Sequence, residues 1–325
     1  MITGAAGFIG SNLAAELVRR GHSVTALDNL SQGTLLNLAD IRTSSALDWI
    51  EGDVRDEATV MHAVAGCDAI VHLAAYKIPR YGDAYDTLMI NAVGSEVVAR
   101  VAAAQKVKLI AASTSDVYGK NPNVPFAEHM DSVIGKPEVK RWAYAISKMF
   151  EEQLLFACHE RFGIDIVLMR FFGAYGPNQS LSWWGGPQAV FIEHALEGKP
   201  LPIHGDGLQV RSFTYVSDHV EAIIAILESE HVNLVVNLGA PEEVSIRELG
   251  RLVWRLVRGD DEVPMEFIPY EAFGLYEDVR RRVPDITKAR DLFGFEPKVE
   301  LESGLAQTID WQIARRAVLA EHANT

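Results

Sequence analysis

The sequence predicts an α/β fold: a doubly wound parallel sheet with helices on both faces, followed by a smaller C-terminal α/β lobe. Two patterns carry this expectation. Up to about residue 170, short β-branched apolar runs alternate with stretches of helical period. After residue 171, glycine, proline and aromatic residues crowd together. Size agrees, because 325 residues are enough for one large domain and a smaller one.

In chain order, SVTALD (23–28), DAIVHLA (68–74), KLIAAST (108–114) and DIVLMR (165–170) suit parallel strands buried on both faces. Helical patterns lie at 11–20, 57–65, 85–105 and 144–162. The alternation implies right-handed crossovers. FFGAYGPNQSLSWWGGPQ then opens the smaller lobe, and PLPIHGDG follows a helical stretch at 188–198. RSFTYVSDHVEAIIAILES reads as a short strand and a helix, and VVNLGA as a strand returning to the main sheet. SIRELGRLVWRL opens a further helix with Ser245 as N-cap. The tail after about residue 317 is expected to fray. The division is therefore 1–170, with 212–240 returning to it, and a second lobe from 171–211 and 241–325.

Composition narrows the function. An apolar share of 48% and a charged share of 23% describe an ordinary soluble globular chain. A net charge of −14 argues against nucleic acid or an anionic membrane surface, since phosphate binding needs a clustered positive field. An anionic small molecule would need arginines placed locally against that field. Cys67 and Cys158 have no metal-like spacing and offer no disulfide framework, which fits a reducing compartment and no metal site. There is no apolar run of 18 residues and no signal-peptide pattern, so the cytoplasm is the expected location.

GAAGFIG (4–10) carries the first chemistry. Only MIT precedes it, short for a first strand, and an amphipathic helix with Leu13, Leu17 and Val18 follows. A glycine-rich turn alone is as often a plain loop. Between a strand and a helix it has the form of a Rossmann-type dinucleotide turn. Gly4 permits the tight turn, Gly7 lets a pyrophosphate approach the backbone, and Gly10 allows the helix to pack on the strand. The helix N-terminus then offers free N–H groups to phosphate. Asp28 ends the second strand 18 residues after Gly10. A carboxylate there binds an adenosine ribose and repels a 2′-phosphate, which favours NAD over NADP.

With these residues in place the chain resembles the extended short-chain dehydrogenase/reductases, specifically the nucleotide-sugar epimerases and dehydratases, of UDP-glucose 4-epimerase type. The motifs occur in order: TGAAGFIGSN, LDNLSQG, GDVRD (52–56), HLAA (72–75), STSDVYG (113–119), YAISK (144–148), RFFGAYGP (170–177), HGDGLQVRSFTYVSD (204–218) and RRRVPDITKA (280–289). The resemblance implies that Phe8, Ile9 and Asn29 join the glycine turn and Asp28 around NAD, and that Asp53 and Val54 approach the adenine. It also implies that Leu73, Ala74, Ala75 and Lys77 line the cofactor, with Asn91 behind it.

Tyr144 and Lys148 are four apart and share a helix face. Without context this would be a surface lysine on an amphipathic helix. In the family's position, Lys148 and the nicotinamide cation are expected to lower the tyrosine pKa towards working pH. Thr114 would bridge the sugar hydroxyl and the phenol. Tyr144 would take the 4-hydroxyl proton as C4 is oxidised, giving a 4-keto sugar. Arg211 and Arg280 match positions that contact the nucleotide diphosphate, with Arg281 or Arg282 able to substitute for Arg280. Ser115, Gln188 and His204 complete the implied substrate residues. Trp183 and Trp184 would wall the sugar or pack the lobe.

Two departures bear on the reaction. Many relatives carry Asn where Gly173 stands, so one nucleotide contact is missing. Epimerases usually have a small or hydroxyl residue where Asp116 stands, whereas dehydrating or decarboxylating relatives often have an acid, usually Glu. Asp is one methylene shorter, and Ser115 replaces the acid of glucose-type dehydratases. The reading is therefore C4 epimerisation of a UDP-sugar by a homodimer, paired through the helices at about 91–105 and 144–160. Val97, Val98, Val101, Met149, Phe150, Leu154 and Leu155 would form the contact. Dehydration or decarboxylation with Asp116 as base is the alternative, and a silent NAD-binding regulator the third. The sugar is open.

Overall fold

β1 (Ile2–Thr3) is only two residues long, yet it is an interior strand of a seven-stranded parallel sheet. In the computed structural model, which describes residues 1–77 and 83–323, its neighbours pin it on both sides. Ile2 pairs with Ala26 on one flank and Val71 on the other, and the Met1 amine donates to the Ala69 carbonyl at 2.9 Å.

The elements run α1 (Phe8–Arg19), β2 (Val24–Asp28), β3 (Leu47–Glu51), α2 (Glu57–Ala63), β4 (Ala69–His72), α3 (Ala84–Gln105), β5 (Lys108–Thr114), α4 (Trp142–Phe162) and β6 (Ile166–Phe171). The smaller lobe follows with β7 (Gly173–Tyr175), α5 (Pro187–Glu197), β8 (Leu201–His204), β9 (Val210–Arg211) and β10 (Phe213–Tyr215). Next come α6 (Val216–Glu228), β11 (Leu234–Leu238), β12 (Val244–Ser245), α7 (Ile246–Arg258), β13 (Met265–Ile268), β14 (Arg281–Arg282), α8 (Thr287–Phe293) and α9 (Leu301–Ala323).

The main sheet has the order β11-β6-β5-β4-β1-β2-β3. Six of these strands follow the order expected for a dinucleotide fold, and β11 extends the far edge. Apolar side chains from α1, α6 and α8 fill one face of the sheet, with Leu13, Ile223 and Ala289 buried. Residues of α2, α3 and α4 fill the other, with Val60, Val98 and Leu155 buried. α8 thus packs on the large sheet although it follows residue 241. By length and composition α3 would suit a membrane span, but half of its apolar window is buried inside the protein. The smaller lobe has its own core around Phe191, Leu249, Val253 and Leu305.

Several details differ from the expectation. β3 was not foreseen, and α1 starts at Phe8 rather than residue 11. α9 continues to Ala323, because Leu301, Leu305 and Ile309 anchor its first turns in the lobe core. Val97, Val98, Val101 and Leu155, expected in a dimer contact, are buried in the chain's own core. Of the residues expected on an outer face, Phe150 is exposed, and it is joined by Tyr85, Met89 and Ile146. Ser245 caps α7 as expected, in a capping box with Glu248.

Candidate active site

The carboxyl ends of β1, β2, β4, β5 and β6 open into one cleft of about 1050 Å³, where an α/β sheet of this order binds its ligand. Gly4, at φ +70°, leaves no room for a side chain: an added Cβ would lie 2.8 Å from the Ala74 nitrogen. At Gly10 it would collide with the Gly4 carbonyl oxygen. Gly7 differs: among the described residues an added Cβ would closely meet that oxygen alone, at 3.1 Å, and Gly7 lines the cleft. No side chain caps α1, so its first N–H groups are available to a ligand phosphate. Asp28 accepts from the backbone of Ala6 at 3.0 Å and Leu30 at 2.8 Å. Burial pushes its carboxyl up despite these bonds. Asp53 is held down at about 2, chiefly by its hydrogen bonds with Arg55, and Asn29 donates to it at 3.1 Å.

Phe8, Ile9, Val54, Leu73, Ala75 and Lys77 line the same cleft. Desolvation pushes the Lys77 ammonium down, and Asp116 draws it partly back. Asn91 does not reach the cleft. Its side chain holds the backbone of Tyr76 and donates to Ser147 at 2.9 Å, so it supports the wall from behind. These residues suit a dinucleotide: a glycine cradle, uncapped amides and a carboxylate at the end of β2.

Tyr144, Thr114, Ser115, Asp116 and Lys148 meet at the other end of the cleft. The Thr114 hydroxyl lies beside the Tyr144 phenol and acts to lower it. Burial, then the charges of Asp116 and Glu151, push that phenol well above its ordinary value. The expected lowering by Lys148 is opposed, because the lysine Nζ donates to Glu151 at 2.6 Å within the core. Asp116 accepts from Arg282 and, at 3.3 Å, from Arg141. Burial raises its carboxyl, but the guanidiniums of Arg282, Arg141 and Arg211 outweigh this and hold it below the usual range. Arg141 is fixed by the Glu277 carbonyl at 2.6 Å and the Tyr276 hydroxyl at 3.2 Å.

Arg211 lines the cleft, and its guanidinium, pushed down to about 10 mainly by burial, pairs with Asp278 at 3.3 Å. Arg280 does not line it. Its guanidinium turns outward to Asp206, at 2.9 and 3.0 Å. Arg282 takes the inward place, because β14 pairs Arg282 with Arg211 on β9. Gln188 lines the cleft but spends its amide on the Gly185 carbonyl at 3.0 Å. His204 stacks on Trp183 at 4.2 Å, and Trp184 meets Tyr76 edge-on at 5.4 Å. Both tryptophans therefore pack on neighbours and face the cleft. Gly173 has a reason of its own: a Cβ there would collide with the Ser212 carbonyl where β7 meets β10. Arg141, Glu151, Tyr276 and Asp278 were missed. Arg141 stands three residues before Tyr144 and Glu151 three after Lys148, a helical spacing that could have raised both.

The profile of the NAD dependent epimerase/dehydratase family matches residues 1–239. A UDP-N-acetyl-alpha-D-glucosaminuronate decarboxylase of Bacillus cytotoxicus is 36% identical over 316 residues, 96% of each chain. Among solved structures, the UDP-glucose 4-epimerase of Thermotoga maritima superposes with a TM-score of 0.86 at 30% identity, over 98% of both chains. The UDP-glucuronic acid 4-epimerase of Bacillus cereus, solved with UDP-glucuronic acid and NAD, gives 0.87 at 27% identity over 97% and 98%. A profile matched over most of the chain, and a relative above 30% identity along nearly all of it, place this protein in the NAD-dependent epimerase/dehydratase family of nucleotide-sugar enzymes, with NAD as its cofactor.

Proposed function

We propose that the chain decarboxylates a nucleotide-linked hexuronate, with a UDP-hexuronate such as UDP-glucuronate as substrate. One observation carries this reading. Arg282 and Arg141 converge on Asp116, with Arg211 beside them, at the end of the cleft that holds Tyr144 and Thr114. Three guanidiniums there face two carboxylates, Asp116 and Asp278, which leaves one positive charge for an anionic sugar. The Bacillus cytotoxicus relative, named as acting on a uronate, supports the same class.

NAD, when bound, supplies reversible hydride transfer at C4. Tyr144 accepts the 4-hydroxyl proton as phenolate, the form that the ammonium of Lys148 and the positive charge of the oxidised cofactor favour, with the Thr114 hydroxyl beside it. A 4-keto hexuronate is a β-keto acid, so the C5–C6 bond breaks without a base. The electron pair moves onto the C4–C5 enolate, carbon dioxide leaves, and C5 takes a proton. Arg282 and Arg141 orient the departing carboxylate. Asp116, held ionised, is a weak base and serves to order these guanidiniums. That argues against elimination, which requires proton abstraction at C5.

C4 epimerisation of the same uronate is the second reading, supported by the likeness to the solved UDP-glucuronic acid 4-epimerase. Turnover of UDP-glucuronate in D₂O, followed by NMR, separates the two. Decarboxylation releases carbon dioxide and leaves one solvent deuterium at C5 of a pentose. Epimerisation keeps C6 and leaves C5 unlabelled. Turnover of neutral UDP-sugars with none of the uronate would refute the carboxylate reading.

A further inference from the structure

Glu151 lies one helical turn beyond Lys148 on α4, and its carboxylate is fully buried, with 0% side-chain exposure against 1% for the lysine. Its Oε2 accepts from Lys148 Nζ at 2.6 Å, while Oε1 has no hydrogen-bond donor among the described residues. A buried carboxylate is costly, and packing alone would be served better by an apolar side chain. Among the described residues no other cation pairs with it. On α3, Ser95 lies beside the carboxylate. On β4, His72 is pushed down to about 3 by burial, hence neutral, and bonds Thr3 at 2.7 Å and Ser95 at 3.4 Å. Glu152, next on α4, is committed to Arg170 at 2.7 Å and to Ser113. Around the phenol itself stand Asp116, Arg282 and Thr114.

We propose that Glu151 is a positioning residue for the Tyr144–Lys148 couple: it pins the ammonium within α4 and cancels much of its charge at the phenol. The proposal rests on Tyr144 and Lys148 acting as the acid–base couple. An ammonium has three donors, so Lys148 keeps two N–H bonds for the cleft it lines while one stays with Glu151. A lysine without Glu151 would favour the phenolate more strongly, because an opposite charge within a few ångströms lowers an acid's pKa by about 1–3 units. The pair therefore makes the couple ionise at higher pH than the lysine alone would.

The test is ultraviolet titration of phenolate in the NAD-loaded protein, each variant compared with the same variant carrying Tyr144→Phe. In Glu151→Gln the Tyr144 step is expected at least about one pH unit below wild type, and in Glu151→Asp close to wild type. With UDP-glucuronate, the acid limb of kcat should move by the same amount while KM stays. An unmoved step, with kcat reduced at every pH, is the mark of a merely structural carboxylate and overturns the proposal. Where Glu151→Gln does not fold, Lys148→Met/Glu151→Gln leaves no buried charge unpaired. Its step lies within about half a unit of wild type if the pair cancels, and a rise of about one unit or more overturns the proposal. Turnover by Tyr144→Phe would instead sink the acid–base reading, and the titration remains a separate result.

Discussion

Asp116→Asn separates the roles open to this carboxylate. Its side chain is 25% exposed between those of Arg282 and Arg141, at 22% and 12%. The amide keeps the shape, removes the charge and leaves two guanidiniums facing the cleft without their counterion. A sugar carboxylate held across them would sit roughly 6 Å from Asp116, where repulsion at an effective permittivity near 20 is about 3 kcal/mol. Solvent access at a quarter-exposed group reduces this to about 1.4 kcal/mol, a tenfold change in binding. The variant should therefore bind UDP-glucuronate up to about tenfold more tightly by calorimetry, with UDP-glucose unchanged. Its kcat should stay within about tenfold of wild type. Thermal stability of the ligand-free protein should fall by about 1–3 kcal/mol, since the guanidiniums lose their partner. A C5 base behaves differently: its loss costs ~10²–10⁴ in kcat and lets a 4-keto sugar accumulate. A kcat loss of about a hundredfold or more, with unchanged uronate affinity, would refute the reasoning.

Gly7→Ala should fold with little change in melting temperature yet lose NAD affinity, because Gly7 lines the cleft where a pyrophosphate would approach the backbone. Gly10→Ala, whose Cβ would collide with the Gly4–Ala5 backbone, should lose about 3 kcal/mol or more of stability in a denaturant titration. Asp28 lines the cleft at the end of β2 with Asn29 and Leu30 beside it and no arginine in that run; if it takes the ribose, calorimetry should show NAD binding well and NADP poorly. Equal affinities would remove this reading of Asp28. Arg282→Gln should cost UDP-glucuronate turnover about a hundredfold, whereas Arg280→Gln, altering only an exposed pair with Asp206, should stay near wild type in steady-state assays. We further propose a homodimer through the exposed apolar residues of α3 and α4. Phe150→Glu should then yield monomer in light scattering, and a wild type that is monomeric at micromolar concentration contradicts it.

What the sequence made legible was local. The glycine turn, Asp28 at a strand end and the Tyr144–Lys148 spacing each need only a few residues and one helix or strand to be read. β3 was missed because Leu47–Glu51 mixes polar and apolar residues on an edge strand, where neither alternation nor a continuous apolar run appears. The tail after about residue 317 was expected to fray because it lies near the chain end, whereas α9 runs through it, its start bound by Leu301, Leu305 and Ile309 into the lobe core.

The arginines mark the limit most clearly. Three stand in a row at 280–282, and composition does not distinguish them. Their difference arises from a pairing between β14 and β9 that spans about seventy residues and sets Arg282 beside Arg211. Arg280 is left to Asp206 on the surface. The same pairing brings Arg282 onto Asp116, 166 residues away, which is what supports the proposal of an ionised anchor over a base. The helical partner of Lys148 escaped for a related reason. The spacing to Glu151 was visible, but only the packing of α3 against α4 shows that both charges are buried together. In a chain carrying a net charge of −14, the proposed uronate reading rests on where a few cations are held, and tertiary contacts hold them.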